Sequence, residues 1–218
     1  MKGLFIKDCK LMLLHKTFLF AMAVVGLGGM LLTDNVVFMI GFFSFIVTTL
    51  TFSTISYDEF AHGYAFIFTL PVTRNGYVLE KYGLSLLFGG GAWLLSTALC
   101  ILNVTGRKIM SVAEIIPPSL AIFLLLLIVQ AITIPFQLKY GGDKGRMVML
   151  GTIGGLGILV LVILKGAKTL FGIHLLHLQD NLPSVHMGMM GITAGILTLI
   201  VLGISIKISM AIMKKKEF

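Results

Sequence analysis

An all-α integral membrane protein with six transmembrane helices is the fold class this sequence predicts, and three observations predict it. The 218 residues are 57% hydrophobic and 12% charged, with a mean hydropathy of +1.03, far from the balance of a soluble domain. Six segments carry no Asp, Glu, Lys, Arg or His: residues 17–33, 36–56, 83–105, 117–138, 147–164 and 188–206. Each is close to the roughly 17–25 residues that a helix needs to cross hydrocarbon. The third observation is where the cations fall. With the N-terminus in the cytoplasm, Lys2, Lys7, Lys10, Lys16, Arg74, Lys81, Lys139, Lys144, Arg146, Lys207 and Lys214 to Lys216 lie inside. Arg107, Lys108, Lys165 and Lys168 alone lie outside, which is the bias of the positive-inside rule. The net charge of +8 is thus a topology signal, and no nucleic-acid partner is expected.

The first 16 residues predict an N-terminal amphipathic helix at the membrane surface. Phe5, Ile6, Cys9, Met12 and Leu13 share one arc, and Lys7, Asp8 and Lys10 fall off it. Such a helix either frames a docking surface or acts as a charged anchor that sets topology. The early lysines, the apolar run and Ala21-Met22-Ala23 resemble a secretory signal, but five further spans favour an uncleaved first membrane helix. Asp34 and Asn35 alone join spans one and two.

Between spans two and three lies a polar insert, Tyr57 to Tyr82, YDEFAHGYAFIFTLPVTRNGYVLEKY. At 100° per residue Phe60, Tyr64, Ile67 and Phe68 share one arc and Asp58, Glu59 and His62 another, with Phe66 breaking the pattern. Pro71 disfavours further helix from Leu70, and Thr73 to Gly76 supplies a turn and an N-cap for the next run. A short amphipathic helix, a stop and a restart are expected.

Span three carries Gly89 to Gly91, and Gly151 with Gly155 and Gly191 with Gly195 have GxxxG spacing, so close helix contacts are expected there, more within the subunit than at a dimer seam. Span four opens on Pro117-Pro118 and bears Gln130, Pro135 and Gln137. Pro135 predicts a kink, and the glutamines predict interhelical hydrogen bonds or substrate contacts. The loop 139–146 reads as a short Gly-rich connector. In the outer segment 165–187, His174 and His177 have helical i, i+3 spacing with His186 a distant third, too little geometry to predict a metal site. Cys9 and Cys100 fall in compartments that exclude a disulfide.

The six charge-free segments lack the ionisable residues of proton relays and ion-coupled transporters. No GxxxxGK[ST] loop is present, so the chain is not expected to hydrolyse ATP, and no Ser-His, paired-Asp or HExxH constellation lies in the spans. A motorless transporter needs a surface through which a motor acts, and the polar insert is the place for it.

Tyr57-Asp58-Glu59, Thr69-Leu70-Pro71-Val72-Thr73-Arg74 and Val78-Leu79-Glu80-Lys81-Tyr82 resemble the segment between spans two and three of ABC-2 type permeases, the membrane subunits of bacterial ATP-binding cassette exporters. The MKGLFIKD opening, six spans and basic tail are similar to that family as well. The resemblance implies a bacterial plasma-membrane protein with both termini cytoplasmic, a second permease subunit, and two copies of a cytoplasmic ATPase that bind ATP and Mg²⁺. No cofactor is implied in this chain. It further implies a cytoplasmic coupling helix between spans two and three, with Asp58, Glu59, Phe60, His62 and Tyr64 at the ATPase interface and Pro71, Arg74, Glu80 and Lys81 supporting the re-entry into span three. Small six-span members are associated with antimicrobial peptide export, and a charge-free, Met- and Phe-rich wall suits an amphipathic cargo. Lipid or drug efflux, the substrate-binding component of a vitamin uptake system and a membrane-embedded enzyme are the competing readings. The second of these would show small residues at AxxxA spacing in span one, which 17–33 lacks.

Overall fold

The computed structural model describes residues 2–32, 36–59, 63–107, 111–141 and 184–216, with the isolated positions 147, 151, 154 and 155. These residues form α1 (Lys2–Leu14), α2 (Lys16–Leu32), α3 (Val36–Glu59), α4 (Gly63–Ile67), α5 (Arg74–Arg107), α6 (Val112–Tyr140) and α7 (Ser184–Lys215), with no strand among them. The all-helical expectation holds. Four helices, α3, α5, α6 and α7, are long and apolar enough to cross a membrane. The 17 residues of α2 span about 25 Å, short of the roughly 30 Å hydrocarbon core, and α2 meets α1 at a 62° bend around His15. Apart from those four isolated positions, the expected fifth span, 147–164, and most of the outer segment 165–187 lie outside the described residues.

α5 starts at Arg74 rather than at Gly83, because Thr73 caps it. The Gly76 N–H donates to Thr73 Oγ1 at 3.1 Å and the Tyr77 N–H to the Thr73 carbonyl at 2.9 Å. Glu80 and Lys81, read from sequence as flanking the span, therefore sit inside its helix.

α3 packs chiefly on α5 and α6 on α7, with α6 also against α3 and α5. Gly89 is where α5 needs a glycine: a Cβ there would lie 2.6 Å from Thr48 Oγ1 and 3.0 Å from Gln130 Nε2. At Gly191 and Gly195 a Cβ would meet nothing among the described residues. The contacts expected of that pair are not made with them.

α6 continues as helix on both sides of Pro135. Proline has no N–H to give the carbonyl four residues back, that of Ala131. The Ser205 hydroxyl of α7 donates to that carbonyl instead. Tyr82 of α5 completes the junction, its hydroxyl 2.5 Å from Ser205 Oγ and 2.9 Å from Ser209 Oγ. Gln137 Nε2 donates to the Phe52 carbonyl at 2.8 Å and to Ser56 Oγ at 2.9 Å, and Gln130 Nε2 to the Ser85 carbonyl at 3.4 Å. Both glutamines join helices.

Two apolar clusters result. One, around Phe52, Tyr64, Tyr77, Val129, Leu138 and Met213, lies at the end carrying the C-terminal lysines. The other, around Ile40, Cys100, Val104 and Ile115, lies toward the opposite end.

Candidate functional site

The C-terminal end of α3, α4 and the first turns of α5 meet α1 and the last turns of α6 and α7. At their centre is a buried group of charges. Lys81 from α5 is 2% exposed. Its Nζ pairs with Asp8 Oδ2 of α1, lies 2.7 Å from Asp58 Oδ2 of α3, and donates to Thr54 Oγ1 at 3.3 Å. Lys7 pairs with Asp58 Oδ1 and lies 3.0 Å from Asp8 Oδ1. The Tyr77 hydroxyl donates to Asp58 Oδ2 at 2.9 Å. The Glu80 carboxylate is buried 3.8 Å from Lys81 Nζ, so three carboxylates face two ammonium groups. Asp8, Asp58 and Lys81 persist at this depth because they are paired, and removing one strands its partner, whereas the Glu80 carboxylate is in excess.

This overturns one expectation. Asp8, placed on the outer polar arc of α1, is wholly buried with Leu4 and Met12, while Ile6 and Leu13 of the expected apolar arc are exposed. Helical spacing identifies a face, but a buried cationic partner decides which face turns inward. α1 thus turns Leu4, Asp8 and Met12 to the bundle and Ile6, Leu13 and Leu14 outward.

A second set of contacts closes the site from the C-terminal side. Arg74 Nη1 donates to the carbonyls of Lys214 at 2.6 Å and Met213 at 3.2 Å, placing a cation on the carbonyl end of α7. Lys216 Nζ reaches Glu59 Oε1 at 3.2 Å and the Leu138 carbonyl at 3.1 Å, and sits 4.7 Å above the Tyr64 ring. Gly141, at φ 86°, caps α6 where a Cβ would strike the Glu59 carboxylate.

Of the residues expected at a partner interface, Asp58 and Tyr64 are buried inside the chain, Glu59 is half-buried against Lys216, and Phe60 and His62 lie outside the described residues. Burial pushes the Tyr64 phenol above its ordinary range and keeps it neutral. Its ring stacks near Phe68 and meets Tyr77 edge-on. Pro71 is exposed, and Glu80 and Lys81 belong to the buried charges. Among the described residues of 57–82 the exposed large hydrophobics are Tyr57, Phe66, Leu70 and Leu79; Phe66, 69% exposed, and Leu70, 46% exposed, belong to α4 and the turn that follows it. Phe66 was visible in the sequence as the break in the helical arc. The ties from Asp8, Lys216 and the α7 carbonyls were not visible.

A separate apolar groove of about 790 Å³ lies between the bent α1–α2 pair, α3 and α5, lined by Met12, Leu19, Phe43, Phe88, Gly91 and Leu95 among others. Among the described residues no group of His, Cys, Asp and Glu could hold a metal ion.

The profile of a family described as "ABC-2 family transporter protein" matches residues 3–214. Neither the curated proteins nor the solved structures gave a match. With that match running nearly end to end over a bundle of membrane-crossing helices, the chain belongs to the ABC-2 transporter family, as a multi-pass membrane component in the permease role that generally works with a separate ATPase subunit.

Proposed function

We propose that this chain is the non-catalytic transmembrane subunit of an ATP-driven exporter, coupled to its ATPase through the segment from Asp58 to Tyr82. The observation that carries this reading is a firmly mounted segment with an apolar outer face. Asp58 is held by Lys7, Lys81 and Tyr77, and Glu59 by Lys216. Phe66 and Leu70 stand outside. A load applied at Phe66 passes into α1, α3 and α5 through the charges around Asp58, and into the end of α7 through Arg74 and Lys216, rather than being lost in a loose loop. ATP-driven approach of two ATPase subunits then tilts the helices between two states, which alternating access requires.

In this account Asp58 and Tyr64 anchor the coupling helix from within, and Glu59, Phe60 and His62 join Phe66 and Leu70 in contacting the ATPase. α1 lies along the membrane surface and α2 crosses, the 62° bend between them marking the change of direction. Two permease subunits enclose the pathway, with both termini on the cytoplasmic side of a bacterial plasma membrane.

The cargo is an amphipathic peptide. The groove between α1–α2, α3 and α5 has almost no polar lining and is large enough for several side chains, so it suits the apolar face of such a ligand. Lipid or drug efflux would use the same wall. The permease, reconstituted in liposomes with the ATPase that co-purifies with it, should show ATP hydrolysis stimulated by a cationic amphipathic peptide, with peptide crossing the membrane only when ATP is supplied. Stimulation by apolar dyes but not by peptide would transfer the assignment to drug efflux. A stoichiometric small vitamin retained through purification, without any ATPase response to peptide, would point to uptake.

A further inference from the structure

We propose that a second groove, between α6 and α7 at the lysine-rich end, holds one anionic phospholipid. This groove, of about 500 Å³, has Phe136 on one side and Ile208, Ala211 and Ile212 on the other, with Lys139 of α6 and Lys215 of α7 at its edge. Phe136 and Ile208 are 41% and 48% exposed, so the walls are open to hydrocarbon. Lys139 lies three residues, just under one turn, beyond Phe136, and Lys215 seven residues, about two turns, beyond Ile208, so both ammonium groups fall on the same, outer end of the apolar walls. That is the order of parts in a phospholipid, a charged headgroup above an acyl chain.

Charge complementarity selects the occupant. Among the described residues neither lysine pairs with a carboxylate; Lys139 Nζ lies 4.9 Å from the Tyr140 ring centroid. Lys216, the neighbour of Lys215 in sequence, is instead engaged with Glu59 and the Leu138 carbonyl. A hydrocarbon chain alone would leave two cations without a counter-charge, and a free phosphate would leave the apolar walls unused. A phospholipid phosphate between Lys139 and Lys215, with one acyl chain along Phe136 and Ile208, uses both. Basic pockets between helices on the cytoplasmic side bind anionic headgroups by the same chemistry. This inference does not depend on the coupling reading.

The test titrates the full-length protein in mild detergent with phosphatidylglycerol or phosphatidylcholine and counts retained lipid by native mass spectrometry. One phosphatidylglycerol should be retained in preference to phosphatidylcholine. Lys139→Gln should weaken it about 5-fold and Lys139→Gln with Lys215→Gln about 30-fold, leaving phosphatidylcholine unchanged. Ala211→Trp, which fills the groove and keeps both charges, should also abolish the preference. Lys10→Gln with Lys16→Gln removes equal charge elsewhere and should change affinity by less than about 2-fold. Equal binding of the two lipids would overturn the proposal, as would lysine variants that bind like the parent. Displacement by inorganic phosphate, or an Ala211→Trp protein that binds normally, would reduce the site to an anion contact without an acyl groove.

Discussion

Replacing Lys81 by Met gives the sharpest reading of the buried charges. The methionine keeps much of the side-chain volume, so the change is chiefly electrostatic. It removes the partner of Asp8 Oδ2, the 2.7 Å contact to Asp58 and the 3.3 Å bond to Thr54. Asp8 has no access to water. Breaking a buried pair from one side costs about 3–5 kcal/mol. Lys7 still reaches both aspartates, which argues for the lower end, about 3 kcal/mol. For a chain of this size that is a drop of about 6–12 °C in unfolding temperature, read by thermal unfolding of the detergent-solubilised protein. Adding Asp8→Asn removes the stranded charge and should recover more than half of the loss, a coupling that a double-mutant cycle isolates. A Lys81→Met protein that melts within about 2 °C of the parent, or a double variant no more stable than the single one, would refute the pairing argument.

The remaining predictions use the same melting assay unless stated. Glu80→Gln removes the carboxylate in excess and should leave stability unchanged or raise it, whereas Asp58→Asn, which removes the negative charge shared by Lys7 and Lys81 and leaves a single acceptor oxygen where two served Lys7, Lys81 and Tyr77, should lower it. Ser205→Ala leaves the Ala131 carbonyl without its donor and should cost about 1–3 kcal/mol; with Pro135→Ala added, the restored backbone N–H should return most of it. Gly141→Ala meets both a positive φ and the Glu59 carboxylate, so it should destabilise by more than about 1 kcal/mol, and Glu59→Ala should relieve only the steric part. Gly91→Trp projects into the apolar groove, where a Cβ meets nothing within 4 Å, so the protein should fold normally while peptide-stimulated ATP hydrolysis is lost and basal hydrolysis persists.

The sequence was most legible where the physics is local. Thr73 announces its cap through the turn that follows Pro71, and Tyr64, Ile67 and Phe68 face inward as their spacing requires. The apolar lengths marked α3, α5, α6 and α7 because crossing hydrocarbon is a property of one segment alone. What was missed depends on pairs far apart in the chain. Nothing near Asp8 reveals Lys81, 73 residues away, so periodicity assigned the carboxylate to solvent. The Arg74 contact with the end of α7 spans 140 residues and carries no local signal. The Pro135 junction was half legible: a proline within a span frees a carbonyl, but only the fold identifies Ser205 as its donor. α5 outran its charge-free segment for the same reason, since Lys81 is tolerated in the helix by Asp8 of α1 and Asp58 of α3, and Glu80 lies beside Lys81.

The central claim is that the mounted segment around α4 is where an ATPase subunit engages this permease. Co-purification of the ATPase with the Phe66→Asp, Leu70→Asp double variant tests it most directly, with the melting temperature of the permease as a control for folding. Both side chains point outward, so the account predicts an unchanged melting temperature and loss of the ATPase from the purified complex. Retention of the ATPase at the parent ratio, with undiminished peptide stimulation, would contradict it.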